Sequence, residues 1–176
     1  DGSQSTGSDC AWVDMIVFPP MSIVPEIVTL SLPDWTFGLL YSEQLEATGG
    51  TGALTWSDKY DDLEGTGLSL ASGGLLSGLP FVTGTITFTA MVTDAASETD
   101  EKQFSFEINP VVQIQEDTLP DWTQGRTYSQ QLSATGGTGS LVWSDVNSDL
   151  DGTGLTLSAT GIISGVPSAA GIIHFT

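Results

Sequence analysis

The stretch "SDVNSDLDGTG", residues 144–154, holds the densest set of metal-ligand side chains in the chain. Asn147, Asp149 and Asp151 stand at alternate positions ahead of Gly152, with Asp145 just upstream. Short oxygen-bearing side chains at alternate positions let about six to eight oxygens converge on a hard cation, and a following glycine permits the sharp turn. Calcium is therefore the candidate cofactor, and Asp145, Asn147, Asp149 and Asp151 are its candidate ligands. The acid that usually closes such a loop is missing, for that place holds Ser158. The related stretch earlier in the chain offers Tyr60, Asp62 and Glu64 before Gly65, a poorer set. The competing reading is a solvated acidic loop held by Asx turns.

Other candidate chemistry is weaker. "ATGGTG" occurs at 47–52 and again at 134–139. A phosphate cradle needs a helix N-terminus behind its glycines and usually a lysine, whereas a Trp-bearing strand follows here, so these glycines read as hairpin turns. His174 falls on the outward register of "GIIHFT" and has no orienting acid at readable spacing and no nucleophile elbow. Carboxylate pairs such as Asp61–Asp62 and Asp100–Glu101 have the residue types for glycoside hydrolysis but read as loop solvation. The expectation is a chain that is not an enzyme.

The elements that position these loops are duplicated. "LPDWTFGLLYSEQLEATGGTGALTWSD" begins at Leu32 and "LPDWTQGRTYSQQLSATGGTGSLVWSD" at Leu119. The offset of 87 holds without a gap to Thr176, with about 35 of 58 aligned positions identical. Self-similarity at a fixed period marks stacked modules. Within a copy the apolar period is two. Ile86, Phe88, Ala90 and Val92 share one face of "TITFTAMVT" and threonines share the other; Phe104, Phe106 and Ile108 alternate in "KQFSFEIN". Leu39, Tyr41, Leu45 and Ala47 are expected to line one side of a further strand. Gly, Pro, Asp and Asn punctuate the chain every 8–12 residues, and no helical period is sustained. The pattern predicts an all-β chain of tandem immunoglobulin-like β-sandwiches, the second lacking its final strand. Trp56 and Trp143 are the expected core anchors. Residues 1–28 read as a leader with a candidate donor strand or the end of a preceding module, 29–109 as a first module, 110–117 as a linker and 118–176 as a second, incomplete module.

The segment "LPDWTQGRTYSQQLSATGGTGSLVWS" with "GTGLTLSATGIISGVPSAAG" resembles the putative-Ig repeats of bacterial and archaeal surface and secreted proteins. It is also similar to dystroglycan-type cadherin-like domains. The resemblance rests on a Tyr-bearing strand, the "ATGG" turn, a "GL-L" strand and "G-ISG-P". It implies extracellular, non-catalytic tandem modules used in adhesion, spacing or assembly. Where such repeats commonly carry "LP-GL", this chain reads "DLEGTGL" and "DLDGTGL".

Composition narrows the partners. Three Lys and Arg stand against 22 Asp and Glu, a formal charge of −19. Such a surface repels nucleic acid and anionic lipid and attracts cations. With 39% hydrophobic residues a core can still form. The lone Cys10 makes no internal disulfide, and no apolar run approaches the roughly 20 residues that span a bilayer. Expected partners are other copies of the chain or neighbouring Ig-like modules, with a surface receptor or a polysaccharide as the alternative. In that alternative the chain is a ligand-binding accessory module of a secreted enzyme.

The second copy breaks off inside what is a strand in the first, and a sandwich without its last strand exposes an unpaired edge. The segment "AWVDMIVFPPMSIVPEIVTL", residues 11–30, precedes the first module. Its Trp12, Met15, Ile16 and Phe18 resemble the closing strand "FSFEI". Residues 11–20 are thus a candidate donor strand for the second module of a neighbouring copy, a contact that builds head-to-tail filaments. The competing expectation is a piece of a longer tandem array.

Overall fold

The computed structural model describes residues 24–176, and among them every regular element is a strand. Module 1 contains β1 (Glu26–Ile27), β2 (Trp35–Thr36), β3 (Tyr41–Gln44), β4 (Ala47–Thr48), β5 (Thr55–Asp58), β6 (Leu68–Leu70), β7 (Leu75–Gly78), β8 (Gly84–Thr93) and β9 (Thr99–Asn109). One sheet runs β2-β9-β8-β5, with β2 parallel to β9 and the other neighbours antiparallel. The second runs β3-β7-β6, and β1 pairs with β4 as a short ribbon. These are the two layers of an Ig-like sandwich.

Alternation explains the packing. With Thr85, Thr87, Thr89, Met91 and Thr93 on the outer face of β8, Ile86, Phe88, Ala90 and Val92 fall on the inner face, all buried. The register sets Phe88 opposite Phe104 and Ile86 opposite Phe106, and the Phe88 and Phe104 rings stack at 5.7 Å. On the wet face the Thr87 and Ser105 hydroxyls meet at 3.1 Å. Tyr41 stacks on Phe106 at 5.1 Å and takes the edge of Trp35 at 5.8 Å. Each such buried aromatic stabilises the fold by about 2–3 kcal/mol through area removed from water. Trp56, an expected anchor, is buried. Leu39 is not on the inner face: it lies before β3 in a turn closed by its N–H to the Thr36 carbonyl, and it is 56% exposed.

The "GTGL…SG" sequence has a steric reason. A Cβ on Gly78 would sit 2.0 Å from the Gly67 carbonyl oxygen, and one on Gly67 would sit 2.1 Å from the Leu79 oxygen. Both glycines hold positive φ, so β6 and β7 approach at a distance no side chain permits.

Module 2 repeats this plan in β10 (Gln113–Ile114), β11 (Tyr128–Gln131), β12 (Ala134–Thr135), β13 (Leu155–Leu157) and β14 (Ile162–Gly165). The sheet β11-β14-β13 copies β3-β7-β6 in register: Tyr128 opposes Gly165 as Tyr41 opposes Gly78. Its core is smaller. Tyr128, Leu132 and Ile163 are buried, with Leu119, Trp143, Leu155, Leu157 and Phe175 packed around them. Residues 171–176, aligned with the first part of β8, lie in no strand.

Each module begins earlier than periodicity indicates. β1 precedes the start expected at residue 29, and β10 falls inside the expected linker. Two-residue strands are too short to show a period of two; Ile27 is recognisable only once its burial is seen.

Candidate functional site

In the loop after Trp143, Asp145 acts as an organiser. Its Oδ1 accepts the N–H of Asp149 at 3.1 Å and its Oδ2 that of Leu150 at 2.9 Å. Leu150 is buried, while Ser148 turns the chain with φ of 60°. The Asp149 carboxylate accepts the N–H of Thr176 at 3.1 Å. Asn147 and Asp151 remain exposed. In module 1 Asp58 plays the same part, its Oδ2 accepting from Leu63 at 2.8 Å, and its Oδ1 is buried without a partner. Of the four candidate calcium ligands, Asp145 and Asp149 thus take backbone N–H donors, as an Asx-turn loop requires. Among the described residues no three His, Cys, Asp or Glu side chains are grouped to hold a metal ion.

A second candidate site is the apolar face of module 2. In module 1 the β8–β9 ribbon covers this face, and Trp35, partly buried, packs against the core. In module 2 Trp122 keeps the edge-on contact with Tyr128 at 5.8 Å yet is 58% exposed. Ile173 and Ile114 are likewise exposed where Ile86 and Ile27 are buried. Burial pushes the Tyr41 hydroxyl far above its ordinary range, with help from the Glu43 and Asp34 charges; burial also raises Tyr128. Phe175 reaches the core and His174 faces solvent, as the register predicts. The candidate donor residues Trp12, Met15, Ile16 and Phe18 lie outside the described residues.

A third feature is the joint between modules, which the sequence reading missed. The Thr138 hydroxyl meets the Thr36 hydroxyl at 2.9 Å and accepts from the Asn109 side-chain amide at 3.1 Å. Gly137 donates its N–H to the Pro110 carbonyl at 2.7 Å. A Cβ on Gly136 would lie 2.2 Å from the Val111 oxygen, so the glycines admit the linker backbone. "GGTG" was legible as a turn; its second role as a docking knob shows only when the last strand of module 1 is brought beside it.

The opposite end of module 1 shows what the same turn does where a complete ribbon stands. Asp94, at the β8–β9 turn, accepts N–H groups from Thr51, Ala96 and Glu98, and Ala95 donates to the Thr51 carbonyl. Partial desolvation pushes the Asp94 carboxyl up, but the three backbone donors outweigh it and hold the group below its ordinary value.

Solved structures with a similar chain path include titin domains I67–I69 in an E-to-A variant, 12% identical over 84% of this chain and 56% of that one, TM-score 0.49. Others are extracellular domains 3–5 of Drosophila OTK, 10% identical over 84% and 53%, TM-score 0.44, and the insect immune protein hemolin, 15% over 83% and 40%, TM-score 0.38. The chain spans about half the length of the titin and OTK fragments. A search among curated proteins returned no match. Residues 24–109 match the family model described as Putative Ig domain, the segment that begins just before β1 and ends with β9. It is this first module that is similar to the Putative Ig domain family.

Proposed function

We propose that the chain is an extracellular, non-catalytic structural and adhesive protein whose modules assemble by strand complementation. One observation carries this reading: the inner face of module 2 presents Trp122 and Ile173 to solvent at positions that β8 and β9 help cover in module 1. An apolar face beside an unpaired strand edge favours addition of a strand, since main-chain hydrogen bonds and alternate side chains are satisfied together. The donor is the segment 11–20 of another copy, which offers the acceptor Trp12, Met15 or Ile16, and Phe18. Because donor and acceptor surfaces differ, the contact propagates head to tail. The charge of −19 keeps such assemblies soluble and discourages lateral clumping.

The test is sedimentation and size-exclusion of the 176-residue chain beside a variant lacking residues 1–20. Polymers from the first and monomers from the second are expected, and addition of a synthetic 11–20 peptide should cap growth. Polymers persisting in the deletion variant overturn donation by this segment.

A further inference from the structure

Four large apolar side chains stand in solvent at one end of module 1: Leu39, Leu40, Leu79 and Phe81 are each more than half exposed. The sheet β3-β7-β6 brings them together. Tyr41 at the start of β3 opposes Gly78 at the end of β7, so Leu40 and Leu79 continue that pairing by one residue. Just beyond, Gly38 donates its N–H to the Pro80 carbonyl at 2.9 Å. Phe81 donates to the Thr66 carbonyl at 3.0 Å, and its ring lies 2.8 Å from where a Cβ on Gly67 would stand, against the start of β6. Tyr41 and Leu68 are buried on the inner face, so Leu40, Leu79 and Phe81 cross the outer face of all three strands.

The fold does not require them. Module 2 has Arg126, Thr127, Val166 and Ser168 at the aligned places and keeps the same backbone bonds. Gly125 donates to the Pro167 carbonyl at 3.0 Å, and Ser168 to the Thr153 carbonyl at 2.8 Å. Polar side chains serve this backbone equally well, so the apolar ones in module 1 answer to something outside it.

Charge says what covers them. On a chain of formal charge −19, the outer face of β3-β7-β6 carries only Ser42 and Gln44 on β3, Leu75 and Ser77 on β7 and Ser69 on β6. No charged residue occurs from Gly65 to Thr93. The outer face of the other sheet, by contrast, bears Glu101 and Glu107. A cationic partner would find no carboxylate on the uncharged face. Two copies of so acidic a chain repel each other wherever their charges approach, and least where both surfaces have none. The exposed apolar area of the four side chains is on the order of 400–500 Å², within the range that marks interaction sites on monomers. With the small side chains around it, the face approaches the roughly 800 Å² per partner of a standard interface.

We infer that this face docks a second copy of the chain, whose own β3-β7-β6 face is turned against it. The same surface serves both copies, so the contact is isologous and closes as a pair. It goes beyond strand donation, which lengthens an assembly head to tail, whereas this contact joins two chains side by side. Removal of apolar surface from water holds the pair. Added salt strengthens it, because screening relieves the repulsion between the two acidic bodies.

The test uses the full chain with Cys10→Ser and Ser42→Cys. Ser42 is exposed on this face, two residues from Leu40, so the thiol leaves the apolar side chains in place. A short bismaleimide should yield a covalent dimer several-fold more readily than it does with Thr87→Cys, an exposed thiol on the outer face of the other sheet that reports random collision. The excess should grow between about 0.15 M and about 1 M salt, as the Debye length shrinks from ~8 to ~3 Å. Leu40→Thr with Phe81→Ser, the residues that module 2 carries on the same backbone, should abolish the excess at an unchanged melting midpoint. Leu79→Glu, which sets like charges on both copies, should abolish it independently. Equal yields from the two thiols, or an excess that survives these substitutions, overturn the docking face. An excess that falls with salt overturns it too, in favour of attraction between opposite charges. Size-exclusion of the same samples reads strand donation separately: polymers without the dimer excess remove this face alone, and the dimer excess without polymers removes strand donation alone.

Discussion

Val146 donates its backbone N–H to the Thr176 carbonyl at 2.8 Å, the bond that Lys59 makes to Thr89 at 2.9 Å in module 1. Thr176 thus stands in the lane of β8, held there also by the Asp149 carboxylate. Phe175 points inward beside it and reaches the small core of module 2. The last residues of the chain therefore sit where a further strand would find an aligned edge.

Phe88→Ala should remove about 3–5 kcal/mol from module 1, because the ring is wholly buried and stacked on Phe104. Phe175→Ala, at the aligned position, should cost less than about 2 kcal/mol in the monomeric deletion variant, since its ring is only partly covered. In the polymer the Phe175 effect should approach that of Phe88. Urea unfolding of both forms reads the difference. Equal costs in the monomer would mean the face of module 2 is already dry.

Asp94 links the acid limb of stability to a single turn. Its folded-state carboxyl titrates below the unfolded value, so its contribution is complete above the ordinary aspartate range near pH ~4 and is lost as pH falls through the depressed value. Asp94→Asn should lower the melting midpoint of module 1 at pH 7 and flatten its decline below pH ~4. Melts collected from pH 7 down to 2 check this; an unchanged acid limb would remove Asp94 from the account.

Gly165→Ala should destabilise module 2 by about 2 kcal/mol or more, because the new Cβ would sit 2.0 Å from the Gly154 carbonyl oxygen at a φ of 145°. Gly152→Ala, also at positive φ but with open space around it, should cost only about 1 kcal/mol. Comparing the two by chemical denaturation separates steric closeness from backbone preference.

Asp145→Ala should loosen the loop 145–151 by removing acceptors for the Asp149 and Leu150 N–H groups, at about 1 kcal/mol for each bond. The same residue decides the calcium expectation. A midpoint raised by calcium over EDTA in the unaltered chain, and not in Asp145→Ala, assigns the loop a cation. An equal fall in both media leaves Asp145 as a loop organiser alone.

Much of the fold was legible because side-chain alternation is a one-dimensional signal. The inward set Ile86, Phe88, Ala90 and Val92, the anchor Trp56 and the turn glycines were all readable from spacing. Leu39 was not, because a run of apolar residues across a turn looks like a strand until the Thr36 carbonyl is seen to close it. The acidic loop was legible as a cluster of ligand types, while which oxygens face N–H groups depends on the path of the backbone. The joint of Thr36, Asn109 and Thr138 was invisible, since residues about 30 and 100 places apart carry no shared period.

By itself the sequence determined the repeat, the period of two and the glycines without which β6 and β7 cannot approach. Those are local properties: each follows from the alternation of a strand or the φ a residue can adopt. Tertiary structure decided which aromatic faces are covered and which threonines meet across the modules. Trp35 and Trp122 have the same neighbours in sequence, yet one is packed against a ribbon and the other stands in solvent. Burial depends on what another strand brings across the sheet, and no residue's own neighbours in the chain encode it.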